Sequence, residues 1–126
     1  MSETLRQALT KAEFSEMIHE VGVPVGEGEN FLDDEQKYPK IAYWEYVWRD
    51  LTASGSSYDT VVRYQISYAS TRGRDAGLKR LKRALNSRGL HPDLFHEYVK
   101  GDSSPAYHHW YCAVDVLEDP LEGFDG

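Results

Sequence analysis

Asp75-Ala-Gly-Leu-Lys-Arg-Leu-Lys-Arg-Ala-Leu-Asn-Ser-Arg-Gly89 is the stretch on which the reading of the fold turns. Asp75 is placed to cap a helix by accepting from the free amides of its first turn, and Gly89 stands where a left-handed residue ends one. Leu78, Leu81, Ala84 and Leu85 recur at helical spacing and form one apolar stripe. The remaining faces are basic: Lys79, Arg80, Lys82, Arg83 and Arg88, with Arg72 and Arg74 just before the cap. Residues 72–88 hold 7 of the 14 Lys and Arg and a single acid, a local charge of +6 against −13 for the rest of the chain. An acidic protein has concentrated its positive charge around one amphipathic helix.

Upstream of this helix, Val62, Tyr64, Ile66 and Tyr68 alternate with Arg63, Gln65 and Ser67, the pattern of a half-buried strand over residues 60–70. Residues 40–49 form a more aromatic strand. Strict alternation puts Ile41, Tyr43 and Val47 on one face and Ala42, Trp44, Tyr46 and Trp48 on the other. Both faces are largely apolar, so one is expected to meet a helix and the other something further, a second subunit among the candidates. Between the two strands, Ser54, Gly55 and Ser56 lie in a flexible hairpin tip. Downstream, Leu90-His-Pro92 is a turn. Residues 94–100 and 107–118 are two more strands joined by a Gly/Ser/Pro hairpin connection.

Thr10-Lys-Ala-Glu13 reads as a capping box, followed by Phe14, Met17, Ile18 and Val21 on one helical face, with Gly22 and Pro24 ending the helix. Residues 2–9 add a helical arm or fray, and residues 22–37 read as a long acidic loop. The expected fold is α+β: a two-layer sandwich of a four-stranded antiparallel sheet, made of two hairpins, with the helices on one face. The 126 residues are expected to form one domain, with a core over residues 10–118, a loose N-terminal arm and an acidic C-terminal tail.

Composition excludes several classes. A lone Cys112 permits no internal disulfide and no cysteine-based zinc site, and favours a reducing compartment. No apolar run reaches the ~18 residues of a membrane span, and the N-terminus has no apolar signal region. The expectation is a soluble, cytosolic protein without membrane contact. A net charge of −7 opposes coating of nucleic acid by the whole surface, though not by one basic patch.

Candidate chemistry is thin. A hairpin centred between Asp102 and Ser103 would set His96 opposite His109 and Glu97 opposite His108, but no third ligand has a fixed spacing for a metal. His109 and Cys112, three apart on a strand, face opposite sides and make a poor base and nucleophile. Asp33, Asp34, Glu35, Glu45 and Asp50 sit in no acid/base motif, and there is no phosphate-binding glycine loop or nucleophile elbow. The chain is expected to have no catalytic activity, metal or cofactor. The basic helix is the best remaining signal, as a solvated face, a protein interface or a nucleic-acid element.

Several segments together carry a family resemblance: Tyr38-Pro-Lys-Ile-Ala-Tyr43, Val61-Val-Arg-Tyr-Gln-Ile-Ser-Tyr68, the helix from Arg74 to Gly89, Phe95-His-Glu-Tyr98, and the strand from Tyr107 to Leu117. Over roughly residues 10–118 the chain resembles the tail terminator, or tail completion, proteins of long-tailed bacteriophages. Related neck proteins of the head-to-tail interface share the size and general layout. The resemblance implies a small α+β protein without catalytic activity. It implies a ring, expected to be a hexamer, that caps the tail tube, stops its polymerisation and joins tail to head. The implied partners are other copies of the chain, the major tail tube protein and a head–tail connector protein, with DNA passing through the central opening. The implied location is the tail or neck of the virion, and the host cytoplasm during assembly. Within that reading, Trp44, Tyr46 and Trp48, the cations Arg74, Lys79, Arg80, Lys82 and Arg83, and the tip residues Ser54, Gly55 and Ser56 are the expected interface. Gly73 and Gly77 depart from what a helix start favours.

Overall fold

The computed structural model describes residues 8–33, 38–52, 58–100 and 106–118. Its frame is two long antiparallel pairings. Strand β3 (Lys40–Thr52) pairs with β4 (Tyr58–Ser70), and β4 pairs in turn with β6 (Tyr107–Glu118). Strand β5 (Phe95–Val99) is antiparallel to the first half of β6. These are the two expected hairpins.

The sheet is nevertheless six-stranded and mixed, which overturns the expected four-stranded antiparallel sheet. Strand β1 (Ala8–Thr10) runs parallel to β6 at Asp115, Val116 and Leu117. Strand β2 (Val25–Glu27) runs parallel to β3 at Ile41, Ala42 and Tyr43. Leu9 therefore belongs to a strand, not to a helical arm, and it is wholly buried. The long acidic loop also contains α2 (Asn30–Asp33), a single helical turn. Three-residue strands and a one-turn helix carry no periodicity of their own; distant partners create them.

Helix α1 (Lys11–Glu20) starts at the expected capping box. Thr10 Oγ1 accepts from the Glu13 amide at 3.1 Å, and Glu13 Oε1 accepts from the Thr10 amide at 2.9 Å. Helix α3 (Ala76–Ser87) is capped by Asp75, whose Oδ1 accepts from the Leu78 amide at 2.9 Å. It ends in a Schellman pair, Gly89 N to Asn86 O and Leu90 N to Leu85 O, both 3.0 Å, with Gly89 at φ +81°.

Both helices lie on one face of the sheet. Phe14, Met17 and Ile18 of α1 and Leu78, Leu81, Ala84 and Leu85 of α3 pack with Ile41, Ile66, Tyr68, Cys112, Val114 and Val116. Helix α2 lies on the opposite face: Phe31 and Leu32 pack with Ala42, Trp44, Ala69 and Tyr107. The helices are thus not confined to one face, as had been expected. The apolar second face of β3, which the alternation left for a partner, is covered at Ala42 and Trp44 by the chain itself.

Gly77 has a role that its helix propensity hides. A Cβ there would come within 2.1 Å of the Tyr68 hydroxyl. That hydroxyl crosses the first turn of α3 to donate to Asp75 Oδ1 at 2.7 Å. The glycine lets the helix start settle on the sheet.

Candidate interaction surfaces

The buried stripe of α3 fixes which of its cations face outward. Arg74, Lys79, Arg80, Lys82 and Arg83 are exposed, as is Arg72. Two of the helix's cations hold the fold together. Arg80 Nε donates to the Val21 carbonyl at 2.8 Å, tying α3 to the end of α1. Arg88, which was not in the expected interface, makes a two-pronged bond to Glu20, 2.9 Å from Nη2 to Oε1 and 3.3 Å from Nη1 to Oε2. The Glu20 carboxylate raises the pKa of the Arg88 guanidinium above its ordinary value. Arg72, Arg74, Lys79, Lys82 and Arg83 make no ion pair among the described residues. They form an exposed basic strip on a chain of net charge −7.

Asp75 anchors the strip's start. Burial pushes its carboxyl pKa up. The Tyr68 hydroxyl, the Leu78 amide and the Ser70 hydroxyl outweigh that push and hold it below the usual range. Burial, then the bond to Asp75, drives the Tyr68 phenol well above its ordinary value. An open cleft of about 330 Å³ adjoins this point, lined by Tyr38, Ser70, Arg72, Asp75 and Arg80 among others.

The aromatic residues divide by a β-bulge. Up to Glu45, β3 keeps the expected alternation. The register with β4 then shifts between Glu45 and Val47, leaving Tyr46 as the extra residue. Trp44 pairs with Gln65 and is half-buried under α2, whereas Trp48 pairs with Val62 on the face that carries α1 and α3. Trp44, Tyr46 and Trp48 therefore do not share a face, as alternation had required. Tyr46 is 52 % exposed and Trp48 72 %. Ser54, Gly55 and Ser56 lie outside the described residues. Sequence reasoning missed two further exposed aromatics on β5, Phe95 at 55 % and Tyr98 at 57 %. The density of aromatics in that short strand was the available signal.

The histidines sit one register step from their expected places. His96 pairs with Trp110, Glu97 with His109 and Tyr98 with His108. His96 Nε2 and His108 Nδ1 are 2.9 Å apart, with ring planes inclined by only 16° and ring centroids 5.1 Å apart. Those values describe an in-line hydrogen bond in which one ring donates and the other accepts. The shift also builds a relay across three strands. His109 Nδ1 donates to Glu97 Oε2 at 2.9 Å, and His109 Nε2 lies 2.7 Å from Ser67 Oγ, which accepts from Gln65 Nε2 at 3.1 Å. A carboxylate, imidazole and hydroxyl in that order suggest general-base chemistry. However, Ser67 is wholly buried, and its hydroxyl is held between His109 and Gln65. The relay serves as a polar clamp between β4, β6 and β5. Cys112 faces the other side, where burial pushes its thiol up to about 12.

Among the described residues, no group of three or more His, Cys, Asp or Glu is placed to hold a metal ion, and no helix is long and apolar enough to cross a membrane.

No protein-family model and no curated protein sequence matches the chain. Among solved structures, it is similar to a chain described as the sheath/tube terminator in the extended state of PVC, an extracellular contractile injection system, with a TM-score of 0.46 and 14 % identity. The match covers 90 % of this chain but only 58 % of that one, so the protein spans little more than half the length of the neighbour it resembles.

Proposed function

We propose that this protein is a tail terminator: copies of it form a ring, a hexamer by the family resemblance, that caps the end of a phage-type tail tube. The ring stops tube polymerisation and provides the surface that docks to a head–tail connector. The observation that carries this reading is the pairing of exposed aromatic strands at the sheet edges with a basic strip that has no ion pair among the described residues. Both features suit a subunit that is completed by neighbours. The sequence resemblance over residues 10–118 supports the same role. In this reading the protein is a non-catalytic structural component of the tail or neck, assembled in the host cytoplasm.

The test is sedimentation combined with assembly rescue. The purified protein should sediment as a ring and should bind the ends of tail tubes assembled without a terminator, halting their growth. Tubes that keep growing beside a monomeric protein would remove this reading.

The exposed cations of α3 favour a second reading, a nucleic-acid-binding module or DNA lining inside a ring. Arg80 braces α1, so the discriminating variant changes Lys79, Lys82 and Arg83 to Gln and leaves Arg80 in place. Nucleic-acid affinity that falls steeply with salt, and is lost in this variant while rings still form, would select the second reading.

A further inference from the structure

The ring reading does not say which surfaces meet, and the inference here rests on that reading. Among the described residues, β2 covers the outer side of β3 only at Ile41, Ala42 and Tyr43. From Trp44 onward that edge has no strand beside it among the described residues. At the other end of the sheet, β5 is paired among the described residues by β6 alone. An open edge presents unpaired amides and carbonyls, and single-chain proteins usually blunt it with lysine, proline or a covering loop. Here β3 carries a bulge at Tyr46 and β5 is short, yet both edges still present large apolar side chains. Among the described residues, the exposed large hydrophobic ones are Tyr46 and Trp48 on β3, and Phe95 and Tyr98 on β5. Four of the five residues of β5 are exposed, an unusual condition for a strand within one subunit.

Strand direction identifies the occupant. Strand β3 is antiparallel to β4, β4 to β6 and β6 to β5, so β5 runs antiparallel to β3. A second copy in the same orientation therefore offers its β5 edge as an antiparallel partner for the open part of β3. We propose that neighbouring copies join in this way: β3 of one, from Trp44 onward, pairs with β5 of the next, and one sheet continues from subunit to subunit. The two edges differ, so the contact is head-to-tail and can close into a ring. A two-fold contact between like edges would stop at a dimer and leave one aromatic edge in water. Through the strand pairings, Phe95 lies level with Ala42, below the open part of β3. The junction is therefore staggered by roughly six residues, or about 20 Å at ~3.3 Å per residue. Such a stagger tilts the strands against the ring axis, as closed sheets require. Aromatic side chains bury roughly 150–250 Å² each, and between 52 % and 72 % of each of these four is still exposed, so they would contribute roughly 350–600 Å² per junction. That is a substantial part of the ~1,200–2,000 Å² of a stable interface.

The test uses Trp48→Lys and Tyr98→Lys in the full chain, read by native mass spectrometry and sedimentation. Both positions are more than half exposed, so each variant should keep the wild-type circular dichroism and melt. Each variant retains one working edge. Alone, each should be monomeric; mixed in equal amounts, they should form a one-to-one dimer and nothing larger, while the wild type forms rings. Rings from either single variant, a self-dimer of either, or a mixture that stays monomeric would overturn the junction and leave the ring reading intact. A wild type that remains monomeric at high concentration and on tube ends would remove the ring reading, and the junction with it.

Discussion

The two faces of the sheet are built on different chemistry. The face under α1 and α3 is a continuous apolar core, with Leu9, Met17, Ile18, Ile41, Ile66, Leu81, Leu85 and Val116 at or near zero exposure. On the opposite face, Phe31 and Leu32 of α2 cover one end. Beside it, polar pairs cross the middle of the face, set among apolar residues that include the buried Val61. Arg63 holds Asp115 through bonds of 2.6 and 3.1 Å, and Gln65, Ser67, His109 and Glu97 form the clamp between strands. Apolar burial contributes stability without direction, whereas hydrogen-bonded polar groups contribute little net energy but specify register. The contrast suggests that the sealed face holds the subunit together and the polar face keeps its strands aligned for contacts at the edges.

The largest test of this contrast is Leu81→Ala on the sealed face. A wholly buried leucine replaced by alanine should cost about 2–5 kcal/mol, read as a lower denaturation midpoint in urea. A loss below 1 kcal/mol would mean that α3 is not the main seal. Asp75→Ala comes next, at the edge of that core, and should cost about 1–2 kcal/mol through the lost cap. This residue also gives a pH signature. The folded carboxyl titrates below its unfolded value, so its contribution is present above the unfolded pKa. It disappears as pH falls through the folded value. Stability measured from pH 6 down to pH 3 should therefore fall less steeply in Asp75→Ala than in the wild type; parallel curves would remove Asp75 from the account. The smallest effect is expected on the polar face. Arg63 and Asp115 side chains are 37 % and 19 % exposed, so Arg63→Gln should cost less than about 1 kcal/mol. A loss as large as that of Leu81→Ala would break the contrast between the faces.

Much of the subunit was legible from local signals. The cap, stripe and left-handed stop of α3 are written within fifteen consecutive residues, and the capping box of α1 within four. The long strands announced themselves by alternation. The interface candidates were legible only in part. Exposure of Lys79, Lys82 and Arg83 follows from the stripe they surround. The bracing role of Arg80 depends on a carbonyl 59 positions away. The separation of Trp48 from Trp44 depends on a bulge that exists only against β4. A bulge adds one residue to one strand, and nothing in that strand's own pattern marks it.

By itself, the sequence determined the two long helices, their caps, the two hairpins and the concentration of positive charge, because each rests on hydrogen bonds or spacings spanning a few residues. Tertiary structure decided the rest. It made β1 and β2 strands by lending them parallel partners, placed α2 on the far face, moved the β5–β6 register by one residue, and turned Gly77 from a weak helix residue into a necessary gap. Each of those outcomes depends on a group far away in the chain, and only folding brings the two together.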